Sequence, residues 1–160
     1  MPEKDTVTNV IIAGLGGQGV LTASDILAAA AFAAGMDVKK SEVHGMSQRG
    51  GSVSSEVRFG KKVYSPMVPP GEADLLLVLA ADQVEVHRRS LRAGGVLIGP
   101  DKIDETRLAN KRSLNIALLG VLSRHLPIAT EHWIAAIKSH LAPKLHEANC
   151  QAFELGRQAE

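Results

Sequence analysis

Residues 9–35 read NVIIAGLGGQGVLTASDILAAAAFAAG, and this stretch decides the fold. Asn9 to Ala13 is a short apolar, β-branched run that leads into glycine, the pattern of a strand buried on both faces. Four glycines then stand at positions 14, 16, 17 and 19. From Val20 the chain becomes rich in Ala and Leu, strong helix formers, and Gly35 sits where a helix end favours a left-handed residue. Strand, glycine turn and helix follow in order, the opening of a Rossmann-like α/β domain.

Gly14, Gly16 and Gly19 form GxGxxG. In that pattern the first glycine permits a tight turn, the second lets a phosphate approach backbone, and the third lets helix and strand pack closely. The same residues test other glycine loops. Gly14 and Gly19 have P-loop spacing, but Val20 and Leu21 follow where Lys and Ser or Thr would bind phosphate and magnesium, which disfavours an NTPase. A dinucleotide site wants an acid about 20 residues on, at the end of the second strand. Asp37 comes too early for it and Glu42 is an approximate match. A plainer reading is that the glycines only let the helix sit against the sheet. Gly14, Gly16, Gly17, Gln18 and Gly19 are the candidate cofactor-binding residues.

Composition narrows the classes. The 160 residues suit one domain over 1–160, with 45% hydrophobic content to build a core. Eighteen basic residues against seventeen acidic leave a formal charge of +1, so no global field advertises nucleic acid or an anionic membrane. Aromatics at 3% argue against base-stacking platforms. Cys150 is the single cysteine, which rules out an internal disulfide and any iron–sulfur cluster held by this chain alone, and no metal site is expected. With neither a signal-like N-terminus nor an apolar run of membrane-span length, the expected location is the cytoplasm.

Further along, residues 37–43 predict a second strand completing a right-handed βαβ unit. Residues 52–60 and 61–66 read as two extended segments about Gly60, in the manner of a hairpin. Residues 74–80 and 95–99 read as buried strands, and 82–93 as a helix capped by Asp82, with His87–Arg92 as a solvated basic face. Beyond Pro100 the pattern becomes helical: 113–126, 130–141 and 143–155, with Trp133 and Phe153 as core or interface residues and Asn115 bonding backbone at a helix start. The expected architecture is a three-layer α/β domain, a mainly parallel sheet with helices on both faces and a helical C-terminal part.

Residues 41–51, SEVHGMSQRGG, form the second informative stretch. His44, Ser47, Gln48 and Arg49 crowd polar side chains among glycines at a strand end, where open α/β sheets place ligand contacts. A solvated Arg and Gln and a structural His are the bland alternative.

At these residues the sequence resembles a known family, the gamma-type subunit or domain of 2-oxoacid:ferredoxin (acceptor) oxidoreductases. The resemblance rests on GLGGQGVLTAS (14–24), SEVHGMSQRGGSVSSEVRFG (41–60), SPMVPPGEADLLLVL (65–79) and the weaker NIALLG (115–120) and NCQAFELG (149–156). Within the family it is most similar to the small subunit of the indolepyruvate type. The family's second motif falls on Glu42, His44, Gly45, Met46, Gln48, Arg49, Gly50 and Gly51. The resemblance implies a non-thiamine subunit of an enzyme that oxidatively decarboxylates a 2-oxoacid to an acyl-CoA and CO2 while reducing ferredoxin. It places thiamine diphosphate, magnesium and iron–sulfur clusters in partner chains and admits coenzyme A at the interface. His44, Gln48 and Arg49 become candidates near a partner's active site, Arg49 as a bidentate donor to carboxylate or phosphate. The thiamine and cluster subunit and ferredoxin are the expected partners, with a second copy of the chain as a further candidate. The chain departs from the family in carrying Ala80 and Ala81 at the end of the 74–79 strand and in a short stretch from Pro100 to Ser113. A stand-alone nucleotide-binding enzyme, NAD-linked or adenylating, and a noncatalytic assembly module are the alternatives.

Overall fold

A computed structural model describes residues 6–44 and 51–160. The elements run β1 (Thr8–Leu15), α1 (Val20–Ala33), β2 (Asp37–His44), β3 (Ser52–Gly60), β4 (Ala73–Val78), α2 (Val84–His87), β5 (Leu91–Ile98), α3 (Leu114–Ser123), α4 (Thr130–His140) and α5 (His146–Gln158). The strands form one five-stranded sheet in the order β2-β3-β1-β4-β5. β1 pairs in parallel with β4, and β4 with β5, whereas β3 runs antiparallel to both β1 and β2. Four strands therefore point the same way and β3 alone opposes them.

This corrects the simple βαβ reading of β1, α1 and β2. α1 does carry the chain back so that β2 runs parallel to β1, but β3 is inserted between them, paired to β2 from Asp37–Gly60 to His44–Val53. Residues 61–66 form no strand and no hairpin about Gly60. The 52–60 segment was legible as a strand, but its partners lie on both sides at long range. Two further expectations shift. The 82–93 helix shrinks to α2 flanked by 3-10 turns, Asp82 makes no side-chain cap, and β5 begins at Leu91. Helix propensity in 91–93 yields there to strand β5, whose pairing with β4 includes a register shift between Ala73 and Leu75. The third C-terminal helix opens with a 3-10 turn at Pro143–Leu145 before α5.

Alternation along the strands divides the side chains between two faces. Val10, Ile12, Val57, Phe59, Leu75 and Leu77 pack under α1, α3, α4 and α5, forming the larger core with Trp133 and Phe153, whose ring centroids lie 5.7 Å apart. Ile11, Leu76 and Val78 face the other way, onto a small cluster closed by Val68 and Val84. That third layer is thin: α2 and the connection 61–72, where helices were expected on both faces. α1 ends as its sequence predicts, with Gly35 at φ 90° and the N–H groups of Gly35 and Met36 donating to Phe32 and Ala31.

The helical layer is fixed by an unusually close crossing. Gly120 of α3 and Gly156 of α5 are both buried, and their Cα atoms lie near enough that a Cβ on either would strike backbone, that of Phe153 from Gly120 and that of Ala117 from Gly156. Neither clash can be relieved by moving a flexible side chain. Arg157 of α5 also donates to the Ser123 hydroxyl of α3 at 3.0 Å. Gly156→Ala and Gly120→Ala are each expected to cost about 3 kcal/mol, because the backbones must separate. The exposed neighbour change Gln151→Ala should stay within about 0.5 kcal/mol. Urea unfolding of the three variants checks this ordering.

Candidate functional site at the glycine turn

The glycine turn lies at the carboxyl edge of the parallel strands, where β1, β2, β4 and β5 all end. Its glycines serve different purposes. A Cβ on Gly14 would meet Gln18 Oε1 at 2.8 Å and the side chains of Leu79 and Val20 at 3.1 Å, so bare backbone there admits the close packing of turn, strand and helix. Gly17 (φ 91°) and Gly19 (φ 83°) adopt left-handed backbone. Space around Gly17 is open, whereas a Cβ on Gly19 would collide with the Asn115 amide.

Gln18 turns inward onto the protein. Its Oε1 accepts from the Leu15 N–H at 2.7 Å, and its Nε2 donates to the Leu79 carbonyl at 3.5 Å, tying the turn to the end of β4. Asn115, at the start of α3, completes the brace from the other side. Its Nδ2 donates to the Gly19 carbonyl at 3.2 Å and its Oδ1 accepts from the Ile116 N–H at 2.9 Å. The sequence reading of Asn115 as a backbone ligand holds for Ile116; the contact with Gly19, 96 residues away, had no local signal.

The second motif meets the first at its base. The Gly16 N–H donates to the Gly51 carbonyl at 2.9 Å, so the chain re-enters β3 directly against the glycine turn. The backbone of His44 ends β2 at the same edge. Gln48 and Arg49 lie outside the described residues, as do Gly45, Met46 and Gly50. Just past the motif, the Ser52 hydroxyl shares a 3.4 Å hydrogen bond with His87 Nε2. Burial holds the His87 ring below its ordinary value of 6.5, favouring the neutral form. Within the supposed basic face, Arg88 pairs with Glu85 and Arg92 with Asp74, and His87 is half-buried.

Two clefts flank the turn. The larger, about 610 Å³, runs between Gly17–Gly19 and Lys111, Arg112 and Asn115, with the Glu105 carboxylate also among its lining. The smaller, about 300 Å³, is lined by Leu15–Gly17, Gly19, Val20–Thr22 and Val53. The first turn of α1 carries neither a side-chain cap nor an acidic residue, and that of α3 has no acidic residue, so neither first turn sets a carboxylate against the positive end of its helix dipole. Lys111 and Arg112 were missed in the sequence because no pattern marks two exposed cations before a helix; only the fold sets them opposite Gly17–Gly19. Among the described residues, no group of three or more His, Cys, Asp or Glu is placed to hold a metal, and no helix is long and apolar enough to cross a membrane.

Comparison with known proteins agrees with this architecture. A family model described as pyruvate ferredoxin/flavodoxin oxidoreductase matches residues 9–159. The indolepyruvate oxidoreductase subunit IorB of Pyrococcus horikoshii is 34% identical, the match covering 94% of this chain and 95% of the relative. The gamma subunit of a keto/oxoacid ferredoxin oxidoreductase from Geobacter sulfurreducens superposes with a TM-score of 0.79 at 24% identity, covering 93% of this chain and 95% of that one. A 2-oxoglutarate:ferredoxin oxidoreductase from Magnetococcus marinus superposes with a TM-score of 0.84 at 19% identity, covering 96% of this chain but 31% of the longer one.

Two outcomes follow from the brace and from His87. Asn115→Ala leaves the Ile116 N–H without its side-chain acceptor and takes the amide from the Gly19 carbonyl, which keeps its bond from the Ala23 N–H, and should cost about 2 kcal/mol; Asn115→Asp should be worse at pH 7, because a carboxylate would face the Gly19 carbonyl. Chemical denaturation of both variants measures this. For His87, the unfolded ring takes up a proton as pH falls through 6.5 while the folded ring resists it. Stability from the neutral ring is thus present above 6.5 and falls as pH drops below it. The stability difference between the parent and His87→Gln should shrink between about pH 7 and pH 5, read by thermal unfolding.

Proposed function

Since the chain belongs to the pyruvate ferredoxin/flavodoxin oxidoreductase family, we propose that it is the small, thiamine-free subunit of a multisubunit indolepyruvate-type 2-oxoacid:ferredoxin oxidoreductase. Such an enzyme converts a 2-oxoacid to acyl-CoA and CO2 and reduces ferredoxin. The observation that carries this is the end-to-end match to the indolepyruvate oxidoreductase subunit, at 34% identity over 94% of this chain and 95% of the relative. Thiamine diphosphate supplies the electron sink for the carbanion left by decarboxylation. Cys150 alone cannot hold an iron–sulfur cluster. Thiamine diphosphate, magnesium and the clusters accordingly belong to the larger partner subunit, and this chain alone has no 2-oxoacid oxidation activity.

Its own residues bind and position. The larger cleft has the donor chemistry for an anion: Lys111, Arg112 and bare backbone at Gly17–Gly19, beside two helix N-termini without acidic residues. A phosphate of coenzyme A is the anion this reading supplies there. His44, Gln48 and Arg49 complete the partner's active site, Arg49 through a bidentate bond to a carboxylate or phosphate. Gln18 acts as a brace for the turn instead of a ligand, since both ends of its amide are engaged by backbone.

Coexpression with the thiamine-dependent subunit, followed by an assay of coenzyme A-dependent ferredoxin reduction, tests the proposal. Activity should require both chains, and kcat/KM should be higher for indolepyruvate than for pyruvate or 2-oxoglutarate. Arg49→Ala should lower kcat/KM by about a hundredfold while the complex stays assembled, the loss of one charge-assisted bidentate contact. Full activity without this chain, or tight NAD or ATP binding by the isolated chain in calorimetry, would overturn the proposal.

A further inference from the structure

The larger cleft beside the glycine turn holds charges of both signs, and they are kept apart. Lys111 and Arg112 line it from the 3-10 turn Lys111–Ser113, and Glu105 lines it from the turn Glu105–Arg107. All three residues are exposed. Among the described residues, Glu105 makes no ion pair with Lys111, Arg112 or any other cation, and neither of the two cations pairs with a carboxylate. Opposite charges elsewhere on the molecule do meet: Lys40 pairs with Asp25 and Glu42, and Arg92 with Asp74.

The turns that carry these charges are fixed by local bonds. Asp104 accepts from the Thr106 N–H at 3.1 Å and from its hydroxyl at 2.6 Å, and the Leu108 N–H donates to the Glu105 carbonyl at 3.2 Å. The Asn110 side chain accepts from the Arg112 N–H at 3.0 Å, and its carbonyl accepts from the Ser113 N–H at 2.9 Å. Asx bonds of this kind hold a turn in one conformation. The carboxylate and the two cations are therefore presented from ordered backbone to one cleft.

A bare inorganic anion uses only part of that lining. Lys111, Arg112 and the glycine backbone attract it, whereas Glu105 repels it and finds no donor on it. An ionised carboxylate only accepts, so its complement is an O–H or N–H of the ligand. Leu79 and Leu114 add apolar surface to the same cleft. The combination fits a phosphate ester with neutral donors and a ring beside its phosphate, which is the chemistry of a nucleotide, and a volume of about 610 Å³ accommodates one.

We propose that Glu105 is a specificity-determining residue of this cleft: its carboxylate accepts a hydrogen bond from a sugar hydroxyl or ring amine of the ligand, so that the cleft takes the nucleotide end of coenzyme A and discriminates against a bare polyphosphate. This role rests on the coenzyme A reading of the cleft given above and adds the residue that does the discriminating.

Calorimetric titration of the full chain at pH 7 with coenzyme A and, separately, with pyrophosphate tests it. The parent should bind coenzyme A the more tightly. Glu105→Ala should weaken coenzyme A binding by about tenfold, through loss of a hydrogen bond to a charged acceptor, and should tighten pyrophosphate by about threefold, because a like charge leaves the cleft. Glu105→Gln keeps an acceptor oxygen without the charge, so it should tighten pyrophosphate equally and weaken coenzyme A less than Glu105→Ala does. Opposite signs on the two probes separate this role from a structural one, since a loosened turn would weaken both. Unfolding midpoints, unchanged because Glu105 is exposed, show that the fold is intact. A change of the same sign for both probes, or no change, would overturn the role of Glu105 while leaving the anion reading of the cleft standing. Coenzyme A binding indifferent to both Lys111→Ala and Arg112→Ala, or no binding of either probe by the parent, would overturn the anion reading itself, and the role of Glu105 with it.

Discussion

The meeting of α3 and α5 at Gly120 and Gly156 is the constraint on which the rest depends. With no side chain between them, the two backbones pack directly against each other, and a Cβ at either position would strike the opposing backbone. α3 in turn delivers Asn115 to the Gly19 carbonyl and places Lys111 and Arg112 across the cleft from Gly17–Gly19. A helix packed on larger residues would stand farther out, and the amide could not reach the turn. A contact deep in the helical layer therefore decides the geometry of a loop at the sheet edge.

The turn itself is braced from three directions. Gln18 ties it to β1 and to the end of β4, Asn115 ties it to α3, and the Gly16 N–H ties it to Gly51 at the entry of β3. Together these bonds hold bare backbone in a fixed pose. Such preorganisation suits a surface that must present donors to a ligand or a partner without reorganising first. The same edge receives the end of β2 and the start of β3, so the two sequence motifs converge although Gly19 and Ser41 lie 22 positions apart in the chain.

The molecule thus has two surfaces of different character. The sheet edge carries glycine backbone, an amide brace and two cations, a polar arrangement suited to an anion. The sheet face opposite the helices carries Tyr64, Met67 and Val86 above a thin, firmly anchored layer.

Local signals were enough for β1, the glycine turn, α1 and its stop at Gly35, because each depends on residues within one turn or one strand of its neighbours. They also sufficed for Trp133 and Phe153 as core and for Asn115 as a backbone ligand at a helix start. They failed where the deciding partner was distant. Strand propensity marked 52–60 but carries no information about direction, so the insertion of β3 between β1 and β2 emerged only from long-range pairing. From Leu91 on, helix-forming residues yielded to a strand beside β4. The cations at 111 and 112 had no pattern of their own and gained meaning from what α3 places opposite them. The sequence by itself determined which segments could be strand, turn and helix and which motifs they bear; tertiary structure alone decided strand direction, the glycine-to-glycine approach of α3 and α5 and the joining of both motifs at one edge, because each is a contact between residues far apart in the chain.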